Sequence, residues 1–212
     1  MANIADDITE LVGNTPLLRL HKFEKEAGFE GKILAKLEVF NPTGSVKDRI
    51  AKNMIEQAER DGRLKPGGTI IEATSGNTGI GLAAIAAAKG YQAVIVMPDS
   101  MSKERIRILE AYGAKVVLTP GEKNMGGANE KAAEILEQTE NAIITGQGGN
   151  PSNPEAHYQT TGPEIWKDTG ENVDIFVATV GTGGTISGTG KFLKEKNPDI
   201  QIIGVEPAGC PV

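Results

Sequence analysis

Residues 69–97 read TIIEATSGNTGIGLAAIAAAKGYQAVIVM. An apolar run (69–73), a polar loop with glycines (74–79), an almost wholly apolar helix pattern closed by Gly90 and a second Ile/Val run (93–97) follow one another directly. Neither run alternates with polar residues, which is how strands buried on both faces of a parallel sheet read. A helix apolar all round belongs against such a sheet. The same alternation extends in both directions. Further strand patterns lie at 33–37, 115–118, 142–145, 174–180 and 200–205. Helix patterns lie between them, at 45–62, 102–112, 126–137, 153–167 and 185–196. Ser45 with Asp48 forms a capping-box arrangement at the start of one, and Gly62, Gly90 and Gly113 mark stops. The prediction is an α/β fold with mainly parallel sheets, whose ligands meet the loops at the carboxyl ends of strands.

Composition narrows the function classes. The chain has 212 residues, 28 acids against 22 bases and a formal net charge of −6. That length suits one large domain or two small ones, and the acidic balance argues against a nucleic-acid surface. Residues 1–10 contain no apolar core, so no signal peptide is expected, and the longest apolar run (80–88) is too short to span a bilayer. The single cysteine, Cys210, cannot form an internal disulfide, which favours a reducing, cytoplasmic setting. His21 and His157 stand apart from acids and from Cys210 at ligand spacing, so no metal site is expected. Glycine is the outlier: 27 residues, where average usage of about 7% would give roughly 15.

Those glycines gather in loops that carry chemistry. Thr74-Ser75-Gly76-Asn77-Thr78-Gly79 sets hydroxyls, an amide and bare backbone N–H groups at the start of the apolar helix, a site that favours an anion. Gly181-Thr182-Gly183-Gly184-Thr185 repeats the arrangement after the strand at 174–180 and reads as a phosphate cradle. It is not a Walker A loop, because Phe192 follows Gly190-Lys191 where a Ser or Thr is needed. In Asn41-Pro42-Thr43-Gly44-Ser45-Val46-Lys47-Asp48-Arg49, Lys47 falls in the first turn of a helix. There the helix dipole and partial burial both depress its pKa, as a nucleophilic amine requires. By contrast Lys103, Glu104, Arg105 and Arg107 read as the solvated face of the helix at 102–112.

A competing pattern shares the first loop. Gly79-Ile80-Gly81-Leu82-Ala83-Ala84 fits G-x-G-x-x-A after a strand, and Asp99 ends the next strand about 20 residues on, the fingerprint of a dinucleotide site. It predicts an NAD-dependent dehydrogenase, but it places both glycines inside the helix and leaves Lys47 and Gly181–Thr185 without a role.

Taken together, the motifs Gly13-Asn14-Thr15-Pro16-Leu17, 41–49, 74–79, Thr161-Gly162-Pro163-Glu164-Ile165-Trp166 and 181–185, in that order, resemble the cysteine synthase (O-acetylserine sulfhydrylase) and cystathionine β-synthase family of fold-type II pyridoxal-phosphate enzymes. The resemblance implies two three-layer αβα domains like those of the tryptophan synthase β chain. One is a larger cofactor-phosphate domain (1–40 plus 149–212), and the other a smaller mobile domain (41–148) with the substrate-carboxylate loop. It implies that Lys47 binds pyridoxal 5'-phosphate as an internal aldimine and then takes the Cα proton. Asn77 is implied to bond the pyridoxal hydroxyl, and Gly181, Thr182, Gly183, Gly184 and Thr185 to hold the phosphate. Thr74, Ser75, Gly76 and Thr78, with Gln147, are implied to grip the substrate carboxylate.

The implied reaction is β-replacement, in which sulfide displaces the acetate of O-acetylserine to give L-cysteine. Synthesis of cystathionine or lanthionine, or release of hydrogen sulfide from cysteine, uses the same machinery. The implied partners are a second copy in a homodimer and the C-terminal tail of serine acetyltransferase. Two departures bear on this. Gly148 stands where the family carries an aromatic residue. Family members also run on past residue 212, which implies a C-terminally incomplete larger domain, weak cofactor binding by these residues alone, and the option of a non-catalytic truncated binding subunit.

Overall fold

A computed structural model describes residues 4–209; Cys210 lies outside the described residues. The first half of the chain forms β1 (Leu17–Arg19), α1 (His21–Glu26), β2 (Leu34–Lys36), α2 (Lys47–Arg60), β3 (Thr69–Ala73), α3 (Asn77–Lys89), β4 (Gln92–Pro98) and α4 (Lys103–Ala111). It continues with β5 (Lys115–Thr119), α5 (Asn124–Glu137), β6 (Ala142–Ile144), α6 (Ser152–Ala156), a π-helical turn (His157–Thr161), α7 (Gly162–Asp168), β7 (Ile175–Thr179), α8 (Gly184–Lys196) and β8 (Gln201–Val205). These elements make two compact units. One joins the segment ending at Val12 to Lys47–Asn153; the other joins Gly13–Val46 to the segment that starts at Pro154.

The first unit is built on a four-stranded parallel sheet, ordered β5-β4-β3-β6. Successive strand residues face opposite sides, and both sides are apolar. Ile71, Val94 and Val96 pack against Ala128 and Ala132 of α5, with Met125 and Leu136 alongside. On the other side Ile70, Ile95 and Met97 are fully buried. There α3 lies so close that a Cβ on Gly79 would stand 3.2 Å from Ile95 Cγ2. Gly90, in the left-handed region (φ 76°), ends α3, and the N–H of Tyr91 turns back to Ala86 O. Next to α3 lies α2, whose inner stripe Ile50, Met54, Ile55 and Ala58 is at most 1% exposed. Burying each larger side chain of this kind contributes about 1.5–3 kcal/mol.

In the second unit β7 and β8 pair in parallel, Ile175 with Gln201 through Thr179 with Val205. Phe176 and Ile202 pack with Ile165, Trp166, Phe192 and Leu193 of α7 and α8. The opposite face presents Ile175, Val177, Ile203 and Val205 to solvent. A separate antiparallel ribbon pairs β1 with β2.

Local features depart from the sequence expectation, among them α1, which no helix pattern signalled. β1 was not anticipated, because three residues are too short to show a period. The single helix expected at 153–167 is instead α6, a π turn and α7. Nearby, Gly188 of α8 approaches this stretch so closely that a Cβ there would overlap the Pro154 carbonyl.

Candidate functional site

The loop after β3 is organised by its own polar groups. The N–H of Gly76 donates to Thr74 Oγ1 at 3.2 Å and that of Gly79 to Gly76 O at 3.1 Å. α3 has no side-chain cap. The backbone N–H groups of Asn77 and Thr78 therefore meet no partner among the described residues, which is the condition of an anion site at a helix N-terminus. Gln147, brought in from the loop after β6, closes the arrangement. Thr78 Oγ1 donates to Gln147 Oε1 at 2.6 Å, and Gln147 Nε2 donates to Thr74 Oγ1 at a long 3.5 Å. Thr74 Oγ1 thus accepts two N–H groups and keeps its own proton to give. Thr74 and Thr78 are buried, Ser75 and Gly76 half-buried, and Asn77 exposed. So the first unit assembles Thr74, Ser75, Gly76, Asn77, Thr78 and Gln147 into one donor-rich loop pair.

Lys47 is the first residue of α2 and half-buried. Burial holds its ammonium below the ordinary lysine range. Its carbonyl lies 3.3 Å from where a Cβ on Gly81 would stand, so the start of α2 abuts the start of α3. Gly81 would also bring a Cβ within 3.2 Å of Ala51 Cβ and of Asp48 Oδ1. The glycines of the dinucleotide-like pattern are thus accounted for by packing of α3 on the sheet and on α2. Asp99, the would-be ribose acid, accepts the N–H of Gly121 at 3.0 Å.

Two residues that hold this half were not singled out from the sequence for that task. Buried Glu72 accepts from Thr145 Oγ1, from the N–H of Gly146 and from the N–H of Gln147. Arg105, expected on a solvated face, instead donates to Ser75 O at 2.8 Å and is half-buried. That is a correction, and its cause is tertiary: α4 follows β4, the strand next to β3, so its first turn reaches the loop that β3 feeds.

In the second unit, Gly181–Thr185 link β7 to α8. Gly183 is the N-cap of α8 in the left-handed region (φ 78°), with no side-chain cap. A Cβ on Gly181 would meet nothing within 4 Å, so the loop is open on that side. Thr185 Oγ1 lies 3.2 Å from Nε2 of His157, whose Nδ1 lies 2.9 Å from Thr161 Oγ1. The π turn thus places a buried histidine against the cradle threonine. No sequence period signals this contact. The motifs 13–17 and 161–166 serve this unit's own architecture. The N–H of Asn14 donates to Glu164 Oε1 at 3.0 Å, and Glu164 Oε2 pairs with Lys36 Nζ at 2.7 Å.

Taken separately, the uncapped glycine-rich start of α8 in the second unit suits an anion, and the desolvated Lys47 of the first suits a carbonyl. Among the described residues no group of three or more His, Cys, Asp or Glu is placed to hold a metal, and no helix is long and apolar enough to cross a membrane. Each unit is thus a parallel α/β layer with a glycine-rich polar loop at a helix start, and the first also carries a desolvated lysine.

The chain belongs to the family of pyridoxal-phosphate dependent enzymes, whose sequence model matches residues 8–212. It is 55% identical, over its whole length and 68% of the relative's, to a protein named probable cysteine synthase from Bacillus subtilis. It is similar to the crystal structure of cysteine synthase from Entamoeba histolytica, with a TM-score of 0.92 and 48% identity over 97% of this chain and 61% of that one. A hydrogen sulfide-producing enzyme from Fusobacterium nucleatum has a TM-score of 0.90 at 48% identity, over 97% of this chain and 68% of that one. The chain therefore spans about two thirds of the length of the proteins it matches.

Proposed function

We propose that the protein is a cysteine synthase, which replaces the acetate of O-acetylserine by sulfide to give L-cysteine and acetate. The observation that carries the reading is the loop pair Thr74–Thr78 and Gln147, a ready receiver for an α-carboxylate, in a chain more than half identical to a protein of that name. Pyridoxal phosphate, when bound, supplies an aldehyde that takes an amine and a ring that draws electron density from Cα. The chain's own residues do the rest. Lys47 provides the amine that holds the cofactor. The backbone N–H groups and hydroxyls of Gly181–Thr185 receive its phosphate, and Asn77 bonds the ring hydroxyl.

Thr74, Ser75, Gly76 and Thr78, with Gln147, fix the substrate carboxylate, which turns the Cα–H bond toward a base. Lys47, its ammonium destabilised by burial, takes the Cα proton as acetate leaves Cβ. It returns the proton to Cα once sulfide has added at Cβ. Treating the chain with pyridoxal phosphate and then borohydride, and mapping the modified peptide by mass, tests the assignment. Label on Lys47 and its loss in Lys47→Ala are expected.

A second reading, release of hydrogen sulfide from cysteine by the same residues, draws support from the likeness to the hydrogen sulfide-producing enzyme. Sulfide release from L-cysteine without O-acetylserine separates the two. We further place the protein in the cytoplasm, as a homodimer that binds the C-terminal tail of serine acetyltransferase. The exposed Leu18, Phe23, Val39 and Phe40 of the second unit support a self-association surface. Residues 41–148, which include the carboxylate loop, are proposed as the smaller mobile domain, and 1–40 with 149–212 as the larger cofactor-phosphate domain.

A further inference from the structure

Glu72 breaks the pattern of its strand. β3 is otherwise Thr-Ile-Ile followed by Ala, and register places Glu72 beside Ile95, on the side of the sheet that α3 covers. It is 3% exposed. A carboxylate there is costly unless its oxygens are satisfied, and all its donors come from one place. Oε2 accepts the Thr145 hydroxyl at 2.6 Å and the Gly146 N–H at 2.7 Å, while Oε1 accepts the Gln147 N–H at 3.3 Å. Three consecutive residues after β6 are thus tied to one buried group. The third of them is the residue whose side chain meets Thr78 and Thr74. The stretch that follows, Gly148-Gly149, has no side chains to hold itself in place, and a Cβ at either would meet nothing within 4 Å. Asn153 Nδ2 adds a bond to Gln147 O at 2.9 Å, and Ile71 O and Asn150 hold the backbone of Thr145 and Gly146, but the Thr145 hydroxyl and the N–H groups of Gly146 and Gln147 all end on Glu72.

We propose that Glu72 is a positioning residue for the amino-acid substrate: through Thr145, Gly146 and Gln147 it holds the Gln147 amide against Thr74 and Thr78, in the geometry that receives the α-carboxylate. The inference rests on the cysteine synthase reading of that loop. Glu72 is buried and its carboxylate takes three donors of the loop, so it acts through the loop and not on the substrate itself.

The test compares wild type with Glu72→Gln, which keeps the shape but turns one acceptor oxygen into an amide N–H donor facing another donor. Calorimetric titration of the pyridoxal phosphate-loaded full chain with O-acetylserine is expected to show roughly tenfold weaker binding, the factor that about 1.4 kcal/mol represents. Pyridoxal phosphate affinity and kcat should stay within about twofold, a split that general loss of structure would not give. Gln147→Ala with Glu72→Gln should bind no worse than Gln147→Ala alone, since Glu72 acts through Gln147. NMR-detected hydrogen exchange without ligand should quicken at Gly146 and Gln147 and not at Ile70 or Ile95.

If Glu72→Gln does not fold, Thr145→Val, which removes one donor, serves in its place with the same pattern at smaller amplitude. Unchanged O-acetylserine binding, additive losses, or a parallel loss of cofactor affinity would overturn the proposal. Absence of O-acetylserine binding in wild type would overturn the functional reading and the substrate half of this inference. The exchange rates would still decide whether Glu72 holds the loop.

Discussion

At Lys47 the physical argument turns on one charge. Burial makes the folded state hold the Lys47 proton less tightly than the unfolded chain does. Between its folded pKa and the ordinary value of 10.5, the folded state therefore carries fewer protons, and stability rises with pH through that window. The same shift makes the neutral amine available at lower pH than on a surface lysine. The rate of Lys47 modification by pyridoxal phosphate should consequently inflect below 10.5, and a profile matching a free lysine would contradict the burial argument. Arg105 acts nearby by charge. Its guanidinium on Ser75 O orients the loop and adds positive potential, and hydrogen bonds to charged groups contribute about 1.5–3 kcal/mol. Arg105→Ala should raise KM for O-acetylserine about tenfold, the equivalent of about 1.4 kcal/mol, with the circular dichroism spectrum unchanged. The place of Lys47 at a helix start was legible because it is a local fact. Glu72 and Arg105 were not, because their partners lie 73 to 75 and 30 residues away; only the parallel order of β4, β3 and β6 makes them neighbours.

Among the elements, α3 shows how one stretch serves packing and chemistry at once. Its first turn offers unpartnered N–H groups, while Gly79 and Gly81 let the helix sit on β4 and on α2. From the sequence alone those glycines also match a dinucleotide fingerprint, and close packing on β4 and α2 accounts for them without one. A larger residue at Gly81 must push α2 away, and overpacking of this kind costs about 1–3 kcal/mol. Gly81→Val should lower the urea midpoint accordingly, and an unchanged midpoint would show that α2 and α3 are not in close contact. The apolar runs of β3 and β4 and the helix between them were plain from pattern because most of their residues are buried. The π turn was hidden because no residue type marks an i→i+5 turn, and with it went the contact of His157 with Thr185.

For the molecule as a whole, glycines at the starts of α3 and α8 leave open, polar loops in both units. The two units differ in completeness of cover. The sheet of the first has helices on both sides, whereas β7 and β8 leave Ile175, Val177, Ile203 and Val205 exposed on one face, an arrangement parallel strands seldom keep. The 212-residue chain should therefore bind the dye ANS, and Val177→Lys with Ile203→Glu should reduce the fluorescence without altering helix content. Equal fluorescence would place the apolar surface elsewhere.

The central claim is that this scaffold presents Lys47 to pyridoxal phosphate. The most direct measurement is borohydride trapping at saturating cofactor followed by peptide mapping, with Lys47→Ala alongside. Modification concentrated at Lys47 and absent from the variant is the expected result. Label spread over the surface lysines, or undiminished in the variant, would contradict it.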